Sequence, residues 1–409
     1  MKILLTLKFI LASLLITISL NFILIDGIGN VYLSTIVIFL SFIVLFFLSK
    51  GVLVTKTYSL LALFLFLFLS LTTGINIIFD KFILAQEQSV FTIIYLQNIL
   101  AFVIAYYLIE KVSLDFFYKF FLWVVFIATI RIFFEEIEHV FSFSEARGQR
   151  IEALFAGGVN NFALIVGLAL IISFYTIKNR YLKVGLCLYW FVIIILTMSR
   201  GALLGIIFTL FILGLYDTNK KTLSLLLRTS FIITLLGVFA IYYFDKSDLV
   251  KAQLENRFLS VFTGDSSIES ASSGRGIILS DIYNSHIKGS SLFEYLFGHG
   301  MGSIDFTINK ADYKSSHNLI VDLFFRNGLL FTLFYIQLFL YLLLKFLSNR
   351  AKSNLILFGI FVFLHFELLF NPFVFAAQTG WIYTFFLALF LITFKKTRTD
   401  LIQPSGTSN

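Results

Sequence analysis

The sequence predicts an all-α, polytopic integral membrane protein of about twelve transmembrane helices, with one large loop before the tenth span. Three observations lead there. Hydrophobic residues make up 59% of the 409 residues, charged residues 13%, and mean hydropathy is +0.94; soluble domains carry about 25% charged residues. The apolar residues come in long uninterrupted runs, the pattern expected where lipid is the solvent. Only 2 prolines stand against 53 phenylalanines, so little interrupts helix. A soluble multidomain chain is excluded, because there is too little charge to coat its surface.

Runs of about 20 apolar residues, long enough to cross the hydrocarbon as helix, fall at 3–25, 31–49, 57–78, 90–110, 115–134, 152–177, 182–198, 202–216, 225–245, 319–345, 353–370 and 380–394. Before the first stands only Met1-Lys2, and no small-residue cleavage site precedes Asp26, so it reads as a retained span. The seventh and eighth are short and joined by the turn Ser199-Arg200-Gly201. Residues 246–318 form the large, mostly polar loop. It has helical-looking stretches at Ile277–Ile287 and Ser291–Leu296, and a glycine-spaced turn, Gly298-His299-Gly300-Met301-Gly302. A polar tail spans 399–409, and a single membrane domain covers 1–409.

Lys and Arg in short loops set orientation. With the amino terminus inside, cytoplasmic segments hold Lys50, Lys56, Lys111, Lys178, Arg180, Lys183, Lys220, Lys221 and Arg228. They also hold Lys345, Arg350, Lys352, Lys395, Lys396 and Arg398, whereas the short outer loops hold only Lys81, Arg147, Arg150 and Arg200. Both termini are therefore expected in the cytoplasm and 246–318 outside. Most of the net charge of +8 is topological signal, so nucleic acid is not an expected partner; the lipid bilayer is. Cys187 lies in an apolar run, where packing is its expected role. His139, His286, His299, His317 and His365 lack metal-ligand spacing, so neither metal nor cofactor is expected.

Ionisable groups at a membrane boundary are costly and mark candidate functional positions. Arg200 follows Ile193-Ile194-Ile195-Leu196-Thr197-Met198 at the outer boundary of two short helices. It either snorkels to headgroup phosphates or clamps an anion with its planar fork. Arg275, in Ser272-Ser273-Gly274-Arg275-Gly276, is either a solvated loop charge or an anion ligand where Ser272 or Ser273 caps a following helix. His317, in Ser315-Ser316-His317-Asn318-Leu319, is a helix-entrance residue or a general base able to activate a hydroxyl. Asn318 either fixes the helix start or holds a substrate polar group. His299 and its glycines read as a tight turn, Arg131 and Glu135 as a pair on one helical face, and Glu135, Glu136 and Glu138 as a solvated acidic cluster or a sugar contact. His365 and Glu367, two apart, do not share a face.

Taken in order, these segments resemble a family. Ser199-Arg200-Gly201-Ala202-Leu203-Leu204-Gly205 is similar to the Ser-Arg-Gly segment of the O-antigen ligase and O-antigen polymerase (Wzy-type) superfamily of bacterial membrane glycosyltransferases. Ser273-Gly274-Arg275, then Gly298-His299-Gly300-Met301-Gly302, then Ser316-His317-Asn318 with Gly328 eleven residues after the His, follow in that family's order. The resemblance covers 150–345 as a ligase/polymerase-like core. It departs at Arg326-Asn327-Gly328, where the family often has an acidic residue before the glycine, and at Ile277, Ile278 and Leu279, where it often has an aromatic one.

The resemblance implies a GT-C-like O-antigen ligase/polymerase fold in the bacterial inner (cytoplasmic) membrane, with a periplasmic active site. It implies metal-independent, inverting glycosyl transfer from an undecaprenyl-pyrophosphate-linked glycan to a sugar hydroxyl. Arg200 and Arg275 would hold the pyrophosphate, His317 would deprotonate the acceptor, and Asn318, Ser199 and Gly274 would bind substrate. A polysaccharide chain-length regulator is an implied partner. Polymerase and ligase differ in acceptor: a second lipid-linked repeat unit, or lipid A–core. The polymerase is favoured, because that branch is the more divergent. A transporter is the third alternative, but it would place its binding residues near the midplane and show internal repeats.

Overall fold

The computed structural model describes residues 2–21, 23–25, 31–53, 85–141, 158–197, 199–216, 280, 282–300, 306–308, 311–313, 317–349, 354–376 and 378–402. The predicted spans 57–78 and 225–245 lie outside them. Every other predicted span coincides with a helix: α1 (Lys2–Leu20), α2 (Leu33–Leu48), α3 (Ala85–Lys111), α4 (Leu114–Phe141), α5 (Val159–Thr176), α6 (Arg180–Leu196) and α7 (Arg200–Tyr216). After the one-and-a-half-turn α8 (Leu292–Phe297) come α9 (Leu319–Ser348), α10 (Leu355–Leu368) and α11 (Gly380–Ile402). Among the described residues four helical stretches are long and apolar enough to cross a membrane: Ile3–Leu20, Thr92–Lys111, Val159–Thr176 and Leu319–Ser348. Shorter apolar helices accompany them at Leu33–Leu48, Arg200–Tyr216, Leu355–Leu368 and Gly380–Phe394. The chain is an all-α membrane protein, with two short strand ribbons among the described residues.

The first of those ribbons corrects one expectation. The first span stops at Leu20, not at residue 25, because Ile23–Ile25 pairs with Val31–Tyr32 as strands β1 and β2. Asn21 secures the exit, its Oδ1 accepting from Ser34 N at 3.0 Å in the first turn of α2. Within the 246–318 segment, strands β3 (Phe306–Ile308) and β4 (Ala311–Tyr313) form an antiparallel ribbon outside the two helical stretches expected there. Of the stretch expected at Ile277–Ile287, residues 280 and 282 are helical and Tyr283–Ile287 is a π turn, with 277–279 and 281 outside the described residues. The stretch at Ser291–Leu296 is α8, closed by a capping box in which Ser291 and Glu294 satisfy each other's backbone N–H.

The core sits on α5 and α10. Helix α5 is buried from Asn161 to Phe174, on all sides, and α10 packs against both α5 and α7. Small residues permit the approach, as is usual between membrane helices. A Cβ on Gly167 would overlap the Phe363 ring, and one on Gly359 would meet Leu213 and Ile171. Around this centre α3 packs on α11, α1 on α4, and α5 on α6. Arg131 donates to Ser19 O at 2.8 Å, joining α4 to α1; the Glu135 side chain lies outside the described residues. Cys187 is buried among apolar neighbours. Outward-facing Phe9, Phe47, Phe134 and Phe211 are exposed, a surface suited to lipid tails.

Helix α9 is two helices. At Gly328 the backbone turns to φ 76°, ψ 179°, breaking the ladder within an apolar run. The break frees carbonyls that would bond four residues onward. The glycine-spaced turn supplies their partners: His299 N donates to Phe325 O at 2.7 Å and Gly300 N to Arg326 O at 3.1 Å. Gly298 and Gly300 carry φ of 83° and 101° to reach them. The expected tight turn is therefore a clamp on the broken helix.

Candidate functional site

The turn between α6 and α7 is built from polar caps. Thr197 closes α6, bonding Ile194 O at 2.6 Å and accepting from Ser199 N at 3.3 Å. Ser199 precedes α7 in the N-cap position, its Oγ 3.5 Å from Ala202 N, while the same hydroxyl donates to Asn160 Oδ1 at 3.1 Å. Arg200 is thus the first residue of α7, partly exposed at the helix's electropositive end. Beneath it lies Glu367, 1% exposed near the end of α10. Its Oε1 stands 3.4 Å from where a Cβ on Gly201 would be and 3.0 Å from one on Gly205. A carboxylate against the first turn of a helix is electrostatically favourable. Asn371, just beyond α10, donates to Asn161 Oδ1 at 2.8 Å, and its backbone N–H donates to Glu367 O at 2.7 Å. The start of α5, the start of α7 and the end of α10 therefore meet at one place.

His317 stands at the start of α9 in left-handed backbone, φ 56°. That conformation costs a side-chain-bearing residue about 1–2 kcal/mol, and it directs the chain into the cap that follows. Asn318 is the N-cap: its Oδ1 accepts from Ile320 N at 3.0 Å and Val321 N at 3.2 Å. The side chain thus fixes the helix start, one of the two roles weighed for Asn318.

An apolar groove runs between the helices that carry the two patches. It encloses about 600 Å³ between α7, α9 and α10, with Leu319, Ile320, Leu368 and Leu369 at one end and Phe358, Leu343 and Leu347 toward the other. The start of α9 therefore faces the end of α10, which also holds Glu367 against α7. Leu319 and Ile320, which follow the His317–Asn318 entrance to α9, line this groove together with Leu368 and Leu369, which follow Glu367. A second, smaller apolar cavity of about 150 Å³ flanks α9 on its other side, against α3 and α11, and also reaches Leu319.

Sequence reasoning missed a buried polar group at the helix break. Asp322 and Arg326, four apart on α9, are 0% and 1% exposed. The Arg326 guanidinium lies 4.8 Å over the Phe375 ring. Tyr95 donates to Asn327 Oδ1 at 3.0 Å, tying α3 to the break. The signal was present, since charged residues inside an apolar run are functional candidates, but Arg326 was weighed only as part of a motif. His365 and Glu367 point to different neighbours, as their spacing required. His365 Nδ1 donates to Phe361 O at 2.8 Å and its Nε2 lies 3.2 Å from the Tyr383 hydroxyl, while Glu367 faces α7.

Ser199 and Arg200 thus open α7 and His317 and Asn318 open α9; Arg275 and Gly274 lie outside the described residues. Chemically, these elements offer a cation at a helix start, an imidazole at another helix entrance, a buried carboxylate, several carboxamides and an apolar groove between α7, α9 and α10. Compared with protein-family models and with curated proteins, the chain matches none.

Proposed function

We propose that the chain is a surface-polysaccharide (O-antigen) polymerase of the bacterial inner membrane. It would join undecaprenyl-pyrophosphate-linked repeat units by metal-independent, inverting glycosyl transfer at the periplasmic face. Twelve spans with both termini cytoplasmic belong to the proposal. One combination carries it: Arg200 opens α7, His317 precedes α9, and an apolar groove of about 600 Å³ runs between α7, α9 and α10. An anion ligand, a base and a lipid-compatible channel are the three things this reaction requires.

In the proposed reaction His317 accepts the proton of an acceptor hydroxyl, whose oxygen attacks the anomeric carbon opposite the pyrophosphate. The bond from that carbon to the pyrophosphate oxygen breaks, and undecaprenyl pyrophosphate departs with inversion. Arg200 and Arg275 neutralise the charge developing on the leaving group. The groove of Phe208, Phe339, Phe361 and Phe366 accommodates the polyprenyl chain.

Purified protein supplied with lipid-linked repeat unit alone tests the assignment. Longer lipid-linked chains are expected. Product formed only when lipid A–core is added would make the protein a ligase, and no product under either condition would remove the glycosyltransferase reading.

A further inference from the structure

Beside Arg200 stand carboxamides that the proposed chemistry leaves without a role. Asn160 and Asn161 open α5, and Asn371 follows α10. Two bonds join them to the same end of the bundle: Ser199 Oγ to Asn160 Oδ1 at 3.1 Å, and Asn371 Nδ2 to Asn161 Oδ1 at 2.8 Å. Asn161 and Ser199 are buried, while Asn160 and Asn371 are partly exposed. The buried members restrain the exposed ones, each hydrogen bond anchoring one atom of its carboxamide and leaving the other turned away from that bond. Asn371 is fixed a second time through its backbone, which donates to Glu367 O at 2.7 Å.

A carboxamide carries two donors and two acceptor lone pairs and no charge. A sugar hydroxyl likewise donates and accepts, so oriented amides match carbohydrate better than they match phosphate, which calls for cations. Their location is equally specific. Ser199, bonded to Asn160, immediately precedes Arg200, and in a pyrophosphate-linked glycan the first sugar is bonded directly to the phosphate. Whatever Arg200 binds as phosphate brings its first sugar to these side chains.

We propose that Asn160 and Asn371 form a sugar-recognising subsite for the residue attached to the pyrophosphate, with Asn161 and Ser199 positioning them. The donor's identity rests on the function proposed above; the division of labour between amides and arginine does not follow from it. The bland alternative is that the amides only lock helices together, as polar side chains do in membranes.

Binding to the purified full-length protein in nanodiscs separates the two. The probes are undecaprenyl pyrophosphate without sugar and the lipid-linked repeat unit extracted from the producing cell. Asn160→Ala and Asn371→Ala are each expected to weaken binding of the lipid-linked repeat roughly tenfold, the loss of one to two hydrogen bonds. Binding of sugar-free undecaprenyl pyrophosphate should stay within about twofold of wild type, whereas Arg200→Ala weakens both probes. Asn160→Gln, which keeps an amide between the helices but shifts it by one methylene, carries the same expectation should an alanine variant fail to accumulate. Equal weakening of both probes, or of neither, would overturn the subsite and leave an interhelical lock. Wild-type protein that binds neither probe would overturn the donor assignment itself, and the subsite with it.

Discussion

Gly298 and Gly328 meet backbone to backbone. A Cβ on Gly298 would lie 2.3 Å from Arg326 O, and a Cβ on Gly328 would lie 2.3 Å from Leu296 O. Both glycines also hold positive φ, at 83° and 76°. The contact joins the 246–318 segment to the helix headed by His317 and Asn318. It exists because a helix broken inside an apolar run must have its freed carbonyls satisfied by protein. Gly298→Ala and Gly328→Ala are each expected to destabilise by at least about 2 kcal/mol, combining a left-handed penalty with a backbone clash. Thermal unfolding of the purified protein, with its accumulation in membranes, measures this; an alanine tolerated at both positions would mean that the clamp does not form.

Glu367 sets a graded tolerance along α7. At Gly201 an added Cβ would meet the carboxylate at ordinary contact distance, 3.4 Å, but at Gly205 it would meet Glu367, Phe363 and Phe366 at 3.0–3.1 Å. Gly205→Ala is therefore expected to be the more damaging, by about 1–2 kcal/mol, with Gly201→Ala close to neutral. The reverse order in unfolding measurements would place the Glu367 side chain elsewhere.

Asn318 caps α9 through two backbone amides. Asn318→Ala should cost about 1 kcal/mol, and Asn318→Asp or Asn318→Ser should restore most of it. Should Asn318→Ala abolish glycan extension while Asn318→Ser restores both stability and extension, the residue acts through the cap, by positioning His317. Extension lost in all three variants despite restored stability would instead show direct contact with substrate.

Arg326 is buried over the Phe375 ring, one helical turn from the buried Asp322. Arg326→Gln removes a buried cation one turn from a buried acid, and disrupting a buried ion pair costs about 3–5 kcal/mol. The double variant Asp322→Asn, Arg326→Gln should recover part of the loss. A single variant as stable as wild type in the same unfolding assay would show that the two charges are not coupled.

Much of this was legible in the chain. Spans such as Val159–Thr176 and Leu319–Ser348 are plain because apolar length is itself the physical requirement. The Ser199 turn and the Asn318 cap followed from residue types favoured at helix starts. The break at Gly328 was hidden, since a lone glycine in an apolar run is compatible with helix and only the distant Gly298-His299-Gly300 turn stabilises the alternative. Leu20 as a helix end was hidden too, because Ile23–Ile25 is as apolar as the helix before it. Glu367, Asn161 and Asn371 acquire meaning only when the ends of α5, α7 and α10 converge, which no local pattern encodes. Arg275 and Gly274 lie outside the described residues, so their place beside Arg200 belongs to the proposal alone.

The most direct measurement is chain extension by purified protein in the presence of a metal chelator, with lipid-linked repeat unit as sole substrate. His317→Asn is the sharpest variant, because Asn adopts left-handed backbone readily and leaves the start of α9 unstrained while removing the base. Wild-type protein is predicted to build polymer without metal, while His317→Asn, Arg200→Ala and Arg275→Ala remain folded in the membrane and build none. Polymer ladders of wild-type length from all three variants would contradict the assignment of these residues as the catalytic site.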